Sequence, residues 1–575
     1  MARDLPRCVD TVVIGNGPAA LILSYILHGH VPCYLGGHHD PILDSKLANE
    51  PNLLNLTPDL YSHFLSSLRY STQALPVNTL LDTLLRPNAD TELNPTSCIE
   101  WRHEPERAVS HVVIGNTPQA GGQWAENPVS ASADIGTLSY AEQLSLPGYS
   151  YADHLKRTKA LEQCDFVRPS RNEVADYLRA YPEAVGIADA VFTGIQVDQV
   201  SRSRSGFVIG SLGLHCKHLV LASGIFTVNI PPTPLLAPIA QLDAQEDPLL
   251  VIGSGFSAAD VIISTRPTRR IIHIYQWAPE SRPSPLRGCH HSAYPEYATV
   301  YRQMKLSAVS SSKKSSARSP LLRRKSNPFF SQRDWASLYE GLPNGEVVAV
   351  SCPDNTGSAT VTIRRASGEY ITRSVGGLSY VVGRRGTLDY LSPSLRSEVL
   401  GTSNGQSTDP KSHSLISGRT LRPKSEASLE VTKDVFIIGS LAGDSLIRHA
   451  VGGCVFAAGR ITNHIPSLYS TSLQSSLQSS PSLSARSSSP SPIPVSVSCD
   501  DQDTNGAIPS PTPCSSSASL AALANGHVDL HLDRRKLARA VEVAHAENAY
   551  WAASGWWAGG LGYRIAEAKE GRSCK

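Results

Sequence analysis

The sequence predicts an α/β protein made of two doubly wound parallel sheets, one inserted in the other. Three observations carry this prediction. Thr11-Val12-Val13-Ile14 runs into Gly15-Asn16-Gly17-Pro18-Ala19-Ala20, and Leu249-Leu250-Val251-Ile252 runs into Gly253-Ser254-Gly255-Phe256-Ser257-Ala258, more than a domain's length later. Apolar strands alternate with helical stretches as far as His464, as parallel sheets covered by helices require. A late strand, Val435-Phe436-Ile437-Ile438, then returns the chain to close the first sheet. Both junctions read GxGxxA. The first glycine permits the tight turn, the second admits backbone close to a pyrophosphate, and the small third residue lets helix lie on strand. The helix N-terminus then offers free N–H groups and a positive dipole end to the anion. Two Rossmann-like dinucleotide-binding domains follow, the arrangement needed when a nicotinamide reduces a flavin.

The 575 residues leave room for two to four domains. With 52 basic against 50 acidic side chains, electrostatics make no case for nucleic acid. No apolar run reaches the roughly 18 residues of a transmembrane span. The expected setting is intracellular and cytoplasmic, with access to the nucleus open. The 11 cysteines are scattered, odd in number and without a CxxC pair, which argues for reduced thiols. That argues against a dithiol reductase, and no metal site is expected.

Taken in order, Val31 to Leu35 reads as the second strand of the first sheet. Its end, Gly36-Gly37-His38-His39-Asp40, lacks the usual ribose-binding acid; Asp40 is a poor candidate, so ribose recognition comes partly from elsewhere. A long insertion to Arg107 holds a helix at Leu80 to Leu85, and Val112-Val113-Ile114-Gly115 resumes the sheet. Gly121-Gly122-Gln123-Trp124 brings the amide of Gly122 toward a flavin while the Trp124 indole packs beside it, or forms a plain turn with a core tryptophan. Leu219 to Gly224 ends in a small-Ser-Gly turn, placing Gly224 where the chain crosses to the second unit. Beyond the second junction, the chain returns through Tyr380-Val381-Val382-Gly383-Arg384. It closes with Gly439-Ser440-Leu441-Ala442-Gly443-Asp444 and a helix from about Ser445 to Ile461. Asp444 either meets a flavin's ribityl chain or caps that helix.

The resulting division is an FAD-binding domain in two parts, residues 8–245 and 376–464, around an NAD(P)-binding domain at 246–375 that carries a basic Ser-rich loop at 310–326. A disordered Ser/Pro linker at 465–525 and a helical, Trp-bearing segment at 526–575 complete the chain.

The ordered phrases GNGPAA, GGQW, LASG, GSGFSAAD and IIGSLAGD resemble the flavin-containing monooxygenase superfamily with two dinucleotide-binding domains. Leu81-Asp82-Thr83-Leu84-Leu85-Arg86-Pro87, Tyr294-Pro295-Glu296-Tyr297 and Val451-Gly452-Gly453 resemble, more closely, the oxidative stress-induced growth inhibitor family. The resemblance covers residues 8 to about 463. It implies FAD at Gly15, Gly17, Ala20, Gly122, Trp124 and Asp444, with Gly224 nearby, and NADPH at Gly253, Gly255 and Ala258, NADH not being excluded. It also implies hydride transfer to the flavin, oxygen addition at its C4a, and delivery of oxygen to a soft nucleophile. No FxGxxxH stands between Gly224 and Gly253, so the substrate does not carry over, and no general acid or base is assigned. Where an NADPH enzyme is expected to place arginine, the chain has Gln276-Trp277, leaving Arg269, Arg270 and Arg282 nearby for a 2′-phosphate. A growth or stress regulator acting through protein partners on the Ser/Pro tail is the alternative function.

Overall fold

The computed structural model describes residues 4–463 except 57–59, 61, 62, 64–73, 88–95, 165, 166, 313–328, 330, 331, 353–356 and 402–414. The expectations for the Ser/Pro linker and the Trp-bearing segment, and most of the basic loop, lie outside the described residues.

The first unit is built on an eight-stranded sheet. Its centre is β1 (Cys8–Ile14), whose inner residues Val12 and Val13 are fully buried because helices cover both faces. Helix α1 (Pro18–Leu27) follows, with Pro18 at its first position, where a missing N–H costs nothing. Strand β2 (His30–Tyr34) then departs from expectation. It leaves the sheet and pairs antiparallel with β3 (Ile99–His103), His30 opposite His103 and Tyr34 opposite Ile99. The seat beside β1 goes to β4 (His111–Ile114), parallel, with Val12 opposite Val112. The insertion therefore begins at β2 itself. It carries α2 (Pro41–Ala48), capped by the Asp40 carboxylate on the Ile42 and Leu43 amides, and α3 (Pro76–Leu85), one turn longer at its start than expected.

The sheet continues to β5 (Val191–Phe192), parallel to β4. A meander of β6 (Val200–Ser203) and β7 (Gly206–Ile209) leads into β8 (Leu214–Leu221), which runs parallel to β1 on its other side. The chain crosses on β9 (Val228–Asn229) to the second unit. There β10 (Leu249–Ile252), α4 (Phe256–Ser264), β11 (Ile271–Tyr275), α5 (Pro295–Ser312) and β12 (Tyr339–Pro343) form a βαβαβ succession. An antiparallel meander of β13 (Glu346–Ser351), β14 (Ala359–Arg364) and β15 (Tyr370–Val375) precedes β16 (Gly377–Tyr380). The parallel order is β12-β11-β10-β16. Residues Val129 and Leu138, from the first half of the chain, lie in the core of this second unit. Arg168 fastens the same stretch, donating to the Thr137, Gly136 and Ala293 carbonyls and pairing with Glu296 at 2.6 Å.

The return is made by β17 (Arg384–Thr387), antiparallel to β9 with Arg384 opposite Asn229. Strand β18 (Leu415–Ile416) pairs with β17, and β19 (Glu430–Thr432) and β20 (Val435–Ile437) complete the first sheet beside β8. The last helix among the described residues, α6, spans Val451–Asn463. It starts later than expected because residues 439–450 hold two short 3-10 turns, Gly439–Ala442 and Ile447–His449. Helix α6 lies on α1, with the Cys454 thiol donating to the Ala19 carbonyl, so α1 is apolar on all sides. Among the described residues, no helix is long and apolar enough to cross a membrane, no group of three or more His, Cys, Asp or Glu is placed to hold a metal ion, and Cys33, Cys98, Cys216, Cys289 and Cys454 are buried free thiols.

Candidate functional site

Four turns that are distant in sequence meet at the carboxyl ends of β1, β4, β8 and β20, the crevice where doubly wound sheets hold ligands. Asn16 joins two of them. Its carboxamide donates to the Gln119 carbonyl at 3.1 Å and accepts from the Thr117 hydroxyl at 2.8 Å, and its own carbonyl accepts from the Gly121 amide at 2.8 Å. Gly122 is thereby laid on Gly17, so that a Cβ at Gly122 would stand 3.1 Å from the Gly17 Cα. Ser440 joins the other two, its hydroxyl accepting from the Ile225 amide at 3.3 Å, beside Gly224. A cavity of about 320 Å³ opens between them, within the range of small-molecule sites.

The glycines of the first turn do different things. Gly15 has φ +118, and a Cβ there would lie 2.4 Å from the Ala222 carbonyl oxygen of the LASG turn, so the position admits no side chain. At Gly17 the backbone is extended and nothing stands within 4 Å of a Cβ, so the fold itself does not require glycine. The space that Gly17 leaves is cavity. No side chain caps α1 at Gly17, whereas the serines at Ser150, Ser170 and Ser392 cap the helices that follow them. Free amides at an uncapped helix start facing a cavity fit the pyrophosphate of a dinucleotide. Ala20 is fully buried beneath the turn, where it permits helix to lie on strand.

Gly15, Gly17, Gly122, Trp124, Gly224 and Asp444 all line this cavity. Asp444 has more partners than the sequence revealed. Its Oδ2 accepts from the Leu75 amide at 2.7 Å and the Asn78 carboxamide at 2.6 Å, and its Oδ1 pairs with Arg422 at 2.7 Å. It is not the cap of α6, which begins seven residues on; the Gly453 amide near that helix start donates to the Asn78 Oδ1 at 2.7 Å. Asp444 thus ties the start of α3 to the cavity wall. Replacing it by alanine leaves the Arg422 charge and the Leu75 amide without their acceptor, and the expected loss, read by chemical denaturation, is about 3 kcal/mol.

Where a dinucleotide fold places its ribose-binding acid, the strand beside β1 ends at Ile114 and is followed by Gly115-Asn116-Thr117, so neutral groups stand in that place. Asp40 is engaged elsewhere, as the cap of α2 and partner of His63 at 2.9 Å. Four further residues that sequence alone did not single out line the cavity: Gln196, Phe226, Thr387 and Tyr390. The Tyr390 hydroxyl bonds to the Ser223 Oγ at 2.9 Å, and burial raises its pKa.

Gly253, Gly255 and Ala258 do not line this cavity; they form the corresponding turn of the second unit. A Cβ at Gly253 would lie 2.5 Å from the Val381 carbonyl oxygen, and Ala258 is buried below it. The imidazole of His273 bonds the Gly253 carbonyl through Nε2 at 2.7 Å and the Tyr339 hydroxyl through Nδ1 at 2.8 Å. Burial lowers its pKa to about 4, so a neutral ring bridges strand and turn. Gly255 starts α4 without a side-chain cap, and only Pro285 Cγ, at 3.8 Å, approaches the position of a Cβ. Of the arginines expected near a 2′-phosphate, Arg269 is buried and donates to the Asp247 and Ala244 carbonyls, and Arg270 pairs with Glu340. Arg282 stands on the exposed turn that its amide closes with the Ala278 carbonyl.

No protein-family model matches the chain. Oxidative stress-induced growth inhibitor 1 of Mus musculus is 29% identical over 343 residues, covering 52% of this chain and 69% of that protein. Oxidative stress-induced growth inhibitor 2 of Homo sapiens is 25% identical over 362 residues, 53% of this chain and 70% of its own length. The chain is similar to the oxidative stress-induced growth inhibitors. Among solved structures, it is similar to a flavin-containing monooxygenase from Stenotrophomonas maltophilia, at 16% identity and TM-score 0.41 over 80% of this chain and 99% of that one. It is also similar to bacillithiol disulfide reductase from Staphylococcus aureus, at 12% identity and TM-score 0.41 over 80% and 99%.

Proposed function

We propose that the protein is an FAD-dependent, NAD(P)H-using oxidoreductase of monooxygenase type. One observation carries this reading above the others: both glycine turns end at helix starts with no side-chain cap, and the first opens into a cavity walled by all four motif turns of its unit. When bound, FAD would supply electron acceptance from a nicotinamide and reaction with molecular oxygen. The chain's own part is to hold and shield. The amides at the start of α1 would receive the flavin pyrophosphate, Gly122 and Trp124 would pack beside the ring system, and Asp444, with three acceptor positions already taken, would offer the remaining one to a ribityl hydroxyl. The amides at the start of α4 would receive the nicotinamide pyrophosphate, with NADPH or NADH as donor. The substrate class is a soft nucleophile. The setting proposed is the cytoplasm.

A second reading is favoured by the relatives' names. In it the protein restrains growth under oxidative stress through protein partners and keeps the dinucleotide fold without turnover. The two separate on one experiment: purified protein loaded with FAD is mixed without oxygen with NADPH or NADH. Bleaching of the yellow flavin supports the enzyme, and flavin that stays oxidised with both donors supports the regulator.

A further inference from the structure

The strands that cross between the two units, β9 and β17, carry a buried cation that touches the wall of the flavin-side cavity. Arg384 opens β17 with 9% of its surface exposed. Its guanidinium donates to the Gln123 Oε1 at 3.0 Å and lies 4.9 Å above the Phe226 ring. Gln123 and Phe226 both belong to the cavity wall. From the other unit comes Asp260, one turn into α4 and the last residue of GSGFSAAD, accepting a 2.7 Å hydrogen bond from the Tyr297 hydroxyl. Arg384 and Arg171 are the positive charges that act on this carboxyl, and Glu296 is the negative one. Asp260 and Arg384 therefore act on each other with opposite sign.

We propose that Arg384 and Asp260 are an opposed pair of positioning charges that sets the reduction potential of a flavin held in the cavity. The proposal rests on the flavin reading above. Hydride transfer moves two electrons and a proton from the nicotinamide, which is oxidised, to the flavin, which is left as a monoanion. A fixed cation near the ring system favours that anion, and a fixed carboxylate that partly neutralises the cation disfavours it. The water-poor site strengthens both effects, since burial lowers the Arg384 pKa to about 10 and raises that of Asp260 to about 6, against the hydrogen bond from Tyr297 and the pull of Arg384 and Arg171.

The test is the midpoint potential of bound FAD, measured by dye equilibration in the full-length protein and in Arg384→Gln and Asp260→Asn. At pH 7, Arg384→Gln is expected to lower the equilibrium constant for two-electron reduction about tenfold, a shift of about 30 mV to more negative potential. Asp260→Asn, which can still accept from Tyr297, is expected to raise the constant severalfold. Mere loosening of the site would move both variants the same way. The unmodified protein should also show a steeper rise of potential as pH falls through about 6, where Asp260 becomes neutral, and Asp260→Asn should lack it. Unchanged potentials, or shifts of the same sign, overturn the proposal. If Arg384→Gln does not fold, an unchanged or lowered potential in Asp260→Asn overturns it alone. A parent protein that takes up no FAD overturns the flavin reading as well, an outcome distinct from flavin-loaded variants of equal potential.

Discussion

Gly17→Asp is expected to abolish FAD retention in a protein that folds as well as its parent. The backbone at Gly17 is extended, with φ −78 and ψ 179, and nothing stands within 4 Å of a Cβ. Aspartate therefore fits, and at this N-cap its carboxylate accepts from the free amides of α1, a contact worth about 1 kcal/mol to the apoprotein. That is also the place proposed for the pyrophosphate. A carboxylate in possession of the same amides repels the phosphates and occupies their donors, so affinity should fall by at least about a thousandfold, or about 4 kcal/mol. Flavin absorbance after gel filtration, with the thermal midpoint of the apoprotein, reads both halves of the expectation. Gly15→Ala makes the contrast: with φ +118 and the Ala222 carbonyl 2.4 Å from the new Cβ, it should lose soluble protein rather than flavin alone.

Gly255→Asp carries the same physics to the second unit with a different readout. Its backbone, φ −105 and ψ −169, accepts any residue, and Pro285 Cγ at 3.8 Å leaves room for the side chain. The cavity proposed for the flavin does not include this turn, so FAD content should be unchanged. Reduction by NADPH should slow at least about 100-fold, because a nicotinamide repelled at its pyrophosphate loses several kcal/mol of positioning. Rapid-mixing measurement of flavin bleaching decides it. Reduction as fast as in the parent would make the second turn a structural remnant.

The parts of this molecule that were legible in the sequence are those fixed by a few neighbouring residues. A strand, a GxGxxA turn and a helix determine one another locally, and both junctions stand at the predicted residues. Strand adjacency was not legible, because it is decided between strands of equal apolar character. Val31-Pro32-Cys33-Tyr34 and His111-Val112-Val113-Ile114 both suit a buried sheet, yet only the second pairs with β1. Asp444 was found by its motif, but Leu75, Asn78 and Arg422, its partners, come from elsewhere in the chain and carry no motif of their own. Arg384 stood in plain view at the end of the returning strand. Its meaning depends on Gln123, Phe226 and Asp260, which only the crossing of the two units brings near it.

The most direct test of the whole account is anaerobic reduction of the FAD-loaded protein by NADPH and by NADH, followed by an oxygen pulse. The account predicts that the bound flavin bleaches with at least one donor and that its yellow absorbance returns as oxygen is consumed. A flavin that is held but never reduced by either nicotinamide would contradict it.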